Sequence, residues 1–144
     1  MAAFLFSVLL LAQPAAPPTP EGVVRALYRQ KTIPTSGAQI DRFFARDLGA
    51  AIKKDIAGAE IGETNDGDYR YDAQDMQVTR LSFSTRIIIG GAEVTARYLN
   101  YGKPGSTTYV MCERIGGEWR IADVRLPRWD MRKVLNLAAT PVRC

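Results

Sequence analysis

The chain has 144 residues, 47% of them apolar and 24% charged, with a formal net charge of +4. That balance excludes a disordered chain, and the length excludes a multi-domain enzyme. No period recurs along the sequence, so a repeat array is excluded too. There is no histidine. The commonest general base, the commonest metal ligand and every Ser-His or Cys-His nucleophile pair are therefore absent. With Cys112 and Cys144 as the two cysteines, a zinc site would need carboxylates for its remaining ligands. No cofactor is predicted. The arginines, among them Arg42, Arg46, Arg70, Arg80, Arg86, Arg97, Arg114, Arg120 and Arg125, are scattered with no dense basic run, so no nucleic-acid interface is predicted either.

Met1 to Ala12 is almost wholly apolar. It is too short for a membrane span, which needs about 20 residues, and fits the apolar core of a secretory signal peptide cleaved after Ala12 or Ala16. Gln13 to Pro20 carries four of the eight prolines and reads as an extended tether. Residues 1–18 are thus expected to be address and tether, and 19–144 one α+β domain. The expected location is periplasmic or secreted, with no membrane span left after cleavage.

Thr19-Pro20-Glu21 is a helix start, with Thr as cap, Pro at the first helical position and Glu in the first turn. Val23, Val24, Leu27 and Tyr28 follow at helical spacing, and the helix is predicted to end near Lys31. A second helix is predicted from Asp41, as cap, to Ala57, on a stripe of Phe44, Leu48, Ile52 and Ile56. Gly49 is a candidate break in it. Glu60 to Asp75 is polar and turn-rich. Four strands follow, over 77–89, 92–101, 107–115 and 118–126. Gly90-Gly91 and Gly116-Gly117 mark tight hairpins, and Gly102 to Gly105 a slightly longer turn. Three tight connections make an antiparallel meander. The third strand is apolar in both phases, and in the fourth Trp119 and Ile121 fall out of phase with Val124, which predicts a bulge. A last short helix is predicted within 128–138. The fold class is α+β: N-terminal helices packed on a curved, cone-like four-stranded meander, with a short C-terminal helix.

Asp66-Gly67-Asp68-Tyr69 followed by Ala73-Gln74-Asp75, together with the ending Gly117-Glu118-Trp119-Arg120-Ile121-Ala122-Asp123-Val124, resembles the exported bacterial family called domain of unknown function 3828. That family is similar in layout to the nuclear transport factor 2-like (cystatin-like) superfamily, in which helices pack into a cone-shaped sheet. The resemblance covers about residues 19 to 137. It implies no activity and no catalytic residues. The superfamily includes isomerases, dehydratases and many non-catalytic binders, and a fold does not choose among them.

Asp66, Asp68, Asp72 and Asp75 place four carboxylates within ten residues. Oxygen ligands at alternate positions suit a hard cation, but the spacing, glycine and final glutamate of an EF-hand are missing, and a solvated turn is the simpler reading. A candidate pocket is lined by Tyr98, Tyr109 and Trp119 from the sheet and by Tyr28 and Phe44 from the helices, with a packed aromatic core as the plainer reading. Asp75, at the start of the first strand, and Glu113, in phase with Tyr109, are its candidate acids; Glu93 points to the other face. An acid beside a tyrosine in an apolar pocket can enolise a ketone. Cys112 and Cys144 are a candidate disulfide in an oxidising compartment.

The expected function is a non-catalytic binding module of the bacterial envelope, contacting a small molecule or an envelope protein. The alternatives are a histidine-free isomerase or lyase using a pocket Asp or Glu with Tyr, and a structural subunit of a homodimer.

Overall fold

The computed structural model describes residues 18–58, 67–139 and 144. The expected signal segment lies outside the described residues, as does the first half of the acidic loop. Eight elements follow in order: α1 (Pro20–Tyr28), α2 (Gly37–Phe43), α3 (Arg46–Gly58), β1 (Val78–Ile88), β2 (Gly91–Asn100), β3 (Lys103–Glu113), β4 (Trp119–Arg125) and α4 (Met131–Val134). The strands form one antiparallel sheet in the order β1-β2-β3-β4. This is the α+β meander that the turn chemistry predicts.

The start of α1 follows the sequence closely. Thr19 Oγ1 accepts a hydrogen bond from the Gly22 amide at 2.9 Å, Pro20 opens the helix, and Glu21 pairs with Arg25 one turn on. Val23, Val24 and Leu27 are buried against the sheet. The helix ends at Tyr28 rather than near Lys31, and the Arg70 side chain donates to the carbonyls of Leu27 and Gln30 there.

The predicted helix from Asp41 to Ala57 is two helices. Ser36, not Asp41, caps α2, and the break falls at Phe44-Ala45, not at Gly49. Phe44 is extended and bridges Ile121 of β4, and the Ala45 amide donates to the Ile121 carbonyl at 2.8 Å. A sheet hydrogen bond thus outcompetes the helical one. Gly49 sits inside α3, where a Cβ would lie 3.4 Å from Ile40, so its smallness serves helix–helix packing.

In the sheet, Ala92, Val94, Ala96 and Tyr98 of β2 and Thr107, Tyr109 and Met111 of β3 are buried on the helical face. Their alternation is the period-two pattern of a half-buried strand. The ambiguity of β3 has a physical cause: its other phase is buried too. Val110 and Cys112 are both covered, Cys112 beside Ala45 and Ala122. The turn after β2 is tighter than expected, with Tyr101 and Gly102 both at positive φ, so β3 begins at Lys103 and takes in Pro104. Proline is tolerated there because β4 pairs only with Thr108 to Glu113, leaving that end of β3 unpaired on its far side. The predicted bulge in β4 is present, as a register shift between Val110 and Met111 opposite Ile121 to Asp123. A second shift, in β1 between Thr79 and Ser82, has no counterpart in the sequence reading.

The last predicted helix is reduced to α4. Asp123 of β4 supplies its N-terminal acceptor, taking the Arg132 amide at 3.1 Å. Arg132 is itself buried and donates to Asp47, Ala122 and Ala138. Cys112 and Cys144 are joined as a disulfide with Cα atoms 5.4 Å apart, fixing the C-terminal residue to the sheet face away from α1. Among the described residues no helix is long and apolar enough to cross a membrane.

The disulfide closes a loop with a sequence separation of 32. Restricting the unfolded chain over that length is worth about 3–4 kcal/mol. Cys144→Ser is expected to lower unfolding free energy by that amount in guanidinium titration; an unchanged midpoint would show that the tail adds nothing to the fold.

Candidate functional site

The aromatic residues that the sequence assigns to a pocket converge, but they form a packed core. Tyr28 sits at the centre, edge-on to Tyr71 (5.4 Å between centroids), Phe83 (5.2 Å) and Tyr109 (6.0 Å), while Tyr71 meets Tyr98 at 5.1 Å. The Tyr109 hydroxyl donates to the Tyr28 hydroxyl at 3.0 Å, and Tyr28 donates onward to the Arg70 carbonyl at 2.8 Å. Thr107 Oγ1 donates to that same carbonyl at 2.9 Å. Phe44 is buried against Tyr69. Trp119, at the start of β4, is half-buried at the rim of the core.

The candidate acids stand apart from this cluster. Asp75 is exposed before β1, and its backbone carbonyl takes the Asn100 side chain. Glu113 is exposed at the last position of β3, opposite Trp119. The sheet runs out before Glu113 reaches the core, and the chain has not entered it at Asp75, so neither joins the tyrosines. The acid that does lie beside them is Asp68, and it is committed to Arg70: Nε of Arg70 donates to both carboxylate oxygens, at 2.9 and 3.0 Å. Asp72 takes the indole N–H of Trp129 at 3.0 Å. Among the described residues, no three acidic or cysteine side chains converge as a metal would require.

Burial raises the Tyr109 and Tyr28 hydroxyls well above the ordinary tyrosine value, because the tyrosinate would lose its water. Tyr69, Tyr71 and Tyr98 move the same way for the same reason. The enclosed hydroxyls of Tyr28 and Tyr109 stay protonated and satisfy one another and the Arg70 carbonyl, holding the core together.

An open concavity lies at the opposite end of the sheet from the β1–β2 and β3–β4 turns; a second of equal volume lies beside α4. The first has a volume of about 470 Å³, with Arg80, Arg97, Tyr98 and Ser106 on its polar side and Leu99, Pro104 and Pro127 as apolar walls. Three local features build it. Arg80 lies in the β1 bulge with φ +54, a conformation that turns its side chain out of the regular pleat. Gly105 pairs with Tyr98, and a Cβ there would stand 2.4 Å from the Tyr98 ring, so only glycine lets the ring lie across the strand. Arg97 Nη1 is steadied by Ser84 Oγ at 2.8 Å. Among the described residues neither Arg80 nor Arg97 forms an ion pair. Lys103 and Arg128 adjoin the groove in sequence, next to Pro104 and Pro127.

The sequence reading passed over this pair because it treated the arginines as scattered. A tight turn at Gly90-Gly91 would set Ser84 opposite Arg97; the turn falls one residue earlier, at Ile89-Gly90, so Ser82 stands opposite Arg97 and the β1 bulge places Arg80 diagonal to it.

No protein-family model matches the chain, and no curated protein or solved structure matches it.

Two outcomes follow from the core. Below pH 10 the buried tyrosines are protonated in both folded and unfolded chains. Above it the unfolded chain loses protons that the folded chain keeps, so stability falls as pH rises, by about 1.4 kcal/mol per pH unit for each of Tyr28 and Tyr109. Guanidinium unfolding between pH 9 and 11, read with tyrosinate absorbance, should show ionisation accompanying unfolding; ionisation of the still-folded protein would contradict it. Secondly, the Tyr69 hydroxyl is buried with no partner among the described residues, whereas that of Tyr28 has two. Tyr69→Phe is therefore expected to be neutral or stabilising by up to about 1 kcal/mol, and Tyr28→Phe to cost about 1 kcal/mol or more.

Proposed function

We propose that the protein is an exported, non-catalytic binding module that holds acidic side chains of a protein partner in the groove between Arg80 and Arg97. The observation that carries the reading is that groove: two arginines without a carboxylate among the described residues, set between apolar walls and open along its length. An open groove covers too little of a small molecule to hold it well, since ligand pockets enclose most of their ligand's surface. It suits a segment of a larger partner, whose remaining surface rests on the rim. Arginine is the appropriate residue, because its planar fork meets a carboxylate through two parallel hydrogen bonds.

Export is supported by the apolar run Met1 to Ala12 and by the Cys112–Cys144 bridge, which persists in oxidising compartments. The layout of helices on one face of a four-stranded meander is in keeping with the nuclear transport factor 2-like superfamily, and with the resemblance of residues 19 to 137 to domain of unknown function 3828. Against a histidine-free isomerase or lyase stands the geometry of the acids: Asp75 and Glu113 are exposed away from the tyrosines, and Asp68 is neutralised by Arg70.

The test is an amide chemical-shift titration of the protein with an acetylated decapeptide alternating glutamate and serine, and with its glutamine counterpart. Saturable shifts are expected at Arg80, Arg97 to Leu99 and Gly105 to Ser106. Affinity should fall at least tenfold in Arg80→Gln/Arg97→Gln and weaken with added salt. Equal binding of the glutamine peptide, or shifts confined to another face, would refute the reading.

A further inference from the structure

The two edges of the sheet are treated differently. The β4 edge is covered: Phe44 and Ala45 pair with Ile121, and Asp130 bridges Arg125. The β1 edge is open. β1 pairs with β2 on one side and, among the described residues, with nothing on the other. β1 is exposed at eight of its eleven positions, and Ile87 is 75% exposed. An uncovered edge of this kind is a template for another strand.

The hairpin closes at the pair Ile88–Gly91 through a two-residue loop. In such a ladder the closing pair bonds across, and bonding then alternates. Ser84, Arg86 and Ile88 therefore turn their peptide groups to β2, while Phe83, Thr85 and Ile87 turn theirs to the open side. Those same three side chains lie on the helical face, since their partners on β2 are Ala96, Val94 and Ala92.

We infer that β1 pairs antiparallel with β1 of a second copy of this chain, with the two-fold axis at Thr85. The register is selected by its alternatives. An axis at Phe83 sets Arg80 opposite Arg86, and an axis at Arg86 sets Arg86 opposite itself; like charges directly opposed are destabilising. An axis at Ser84 sends Ile87 to Leu81, inside the bulge where the ladder is broken. An axis at Thr85 places Phe83 opposite Ile87 twice, Thr85 opposite Thr85, and Ser84 opposite Arg86. It covers the exposed Ile87, opposes no like charges, and uses the outward peptide groups of Phe83, Thr85 and Ile87. The sequence around Thr85 is thus self-complementary. On the same face α1 braces the seam: Glu21 Oε2 accepts from Thr85 Oγ1 at 3.1 Å, and the Arg25 guanidinium stacks on Phe83 at 4.6 Å. The bulge at Arg80 ends the pairing before it reaches the groove.

The experiment is sedimentation velocity of the purified protein from 1 to 100 µM, with Thr85→Pro and Ile87→Lys as variants. The Thr85 amide faces away from β2, so proline removes an intermolecular bond while sparing the sheet; Ile87→Lys places a charge in the seam without touching the backbone. A concentration-dependent dimer is expected, its association weakened at least tenfold in both variants, with far-UV circular dichroism unchanged. If Thr85→Pro fails to fold, Ile87→Lys alone decides. A monomer throughout the range, or a dimer that Ile87→Lys leaves equally tight, overturns the inference.

Discussion

Arg70 is 3% exposed, and its guanidinium donates to Asp68 on one side and to the carbonyls of Leu27 and Gln30 on the other. Its own carbonyl receives the hydroxyls of Tyr28 and Thr107. One residue thereby connects the end of α1, the loop before β1 and the middle of β3. A charge taken out of water at this depth is tolerable only when paired and fully hydrogen-bonded. Here the pairing is complete, and it also satisfies helix-end carbonyls that lack intrahelical partners. The position of Tyr28 follows from it, and with Tyr28 the arrangement of Tyr71, Phe83 and Tyr109 around it.

That dependence explains why the interior is closely packed. The tyrosine hydroxyls are used to satisfy one another and the Arg70 backbone, and the nearest carboxylate is used to neutralise the guanidinium. A proton-transfer site needs at least one of these groups unsatisfied and open to a ligand. Among the described residues the Tyr69 hydroxyl has no partner, and its ring packs edge-on against Phe44. Arg80 and Arg97, which form no ion pair among the described residues, lie where the β1 bulge and Gly105 open a groove.

How much of this was legible depended on whether the signal was local. The Thr19 cap and the phase slip in β4 are each written within a few residues and appear where the sequence places them, whereas the first hairpin turns on Ile89-Gly90, one residue before Gly90-Gly91, and the last turn takes in Ile115 as well as Gly116-Gly117. The split between α2 and α3 was not legible, because it depends on Phe44 meeting Ile121, 77 positions later, and no local preference announces that. Asp68 read as an acid in a solvated turn because its partner, Arg70, could be recognised as buried only once α1 was in place. The aromatic residues were identified correctly as neighbours, but periodicity cannot distinguish a lined cavity from a filled one. The sequence marks apolar faces; whether space remains between them is decided by how the faces meet.

The asymmetry of the sheet ties these parts together. On the β4 side, the α2–α3 break, α4, Asp123 and Arg132 all serve to cover an edge, and the disulfide from Cys112 fixes the C-terminal residue behind it. On the β1 side α1 packs against the strand, Glu21 accepting from Thr85 and Arg25 stacking on Phe83. A four-stranded sheet with one edge closed and the other exposing Ile87 buries its apolar residues unevenly, and the difference cannot be removed by repacking a domain this small. It can be removed by adding a strand. The bulge at Arg80 then has two consequences from one distortion: it ends the regular edge, which limits how far a neighbouring strand can pair, and it turns an arginine toward Arg97, which makes the groove.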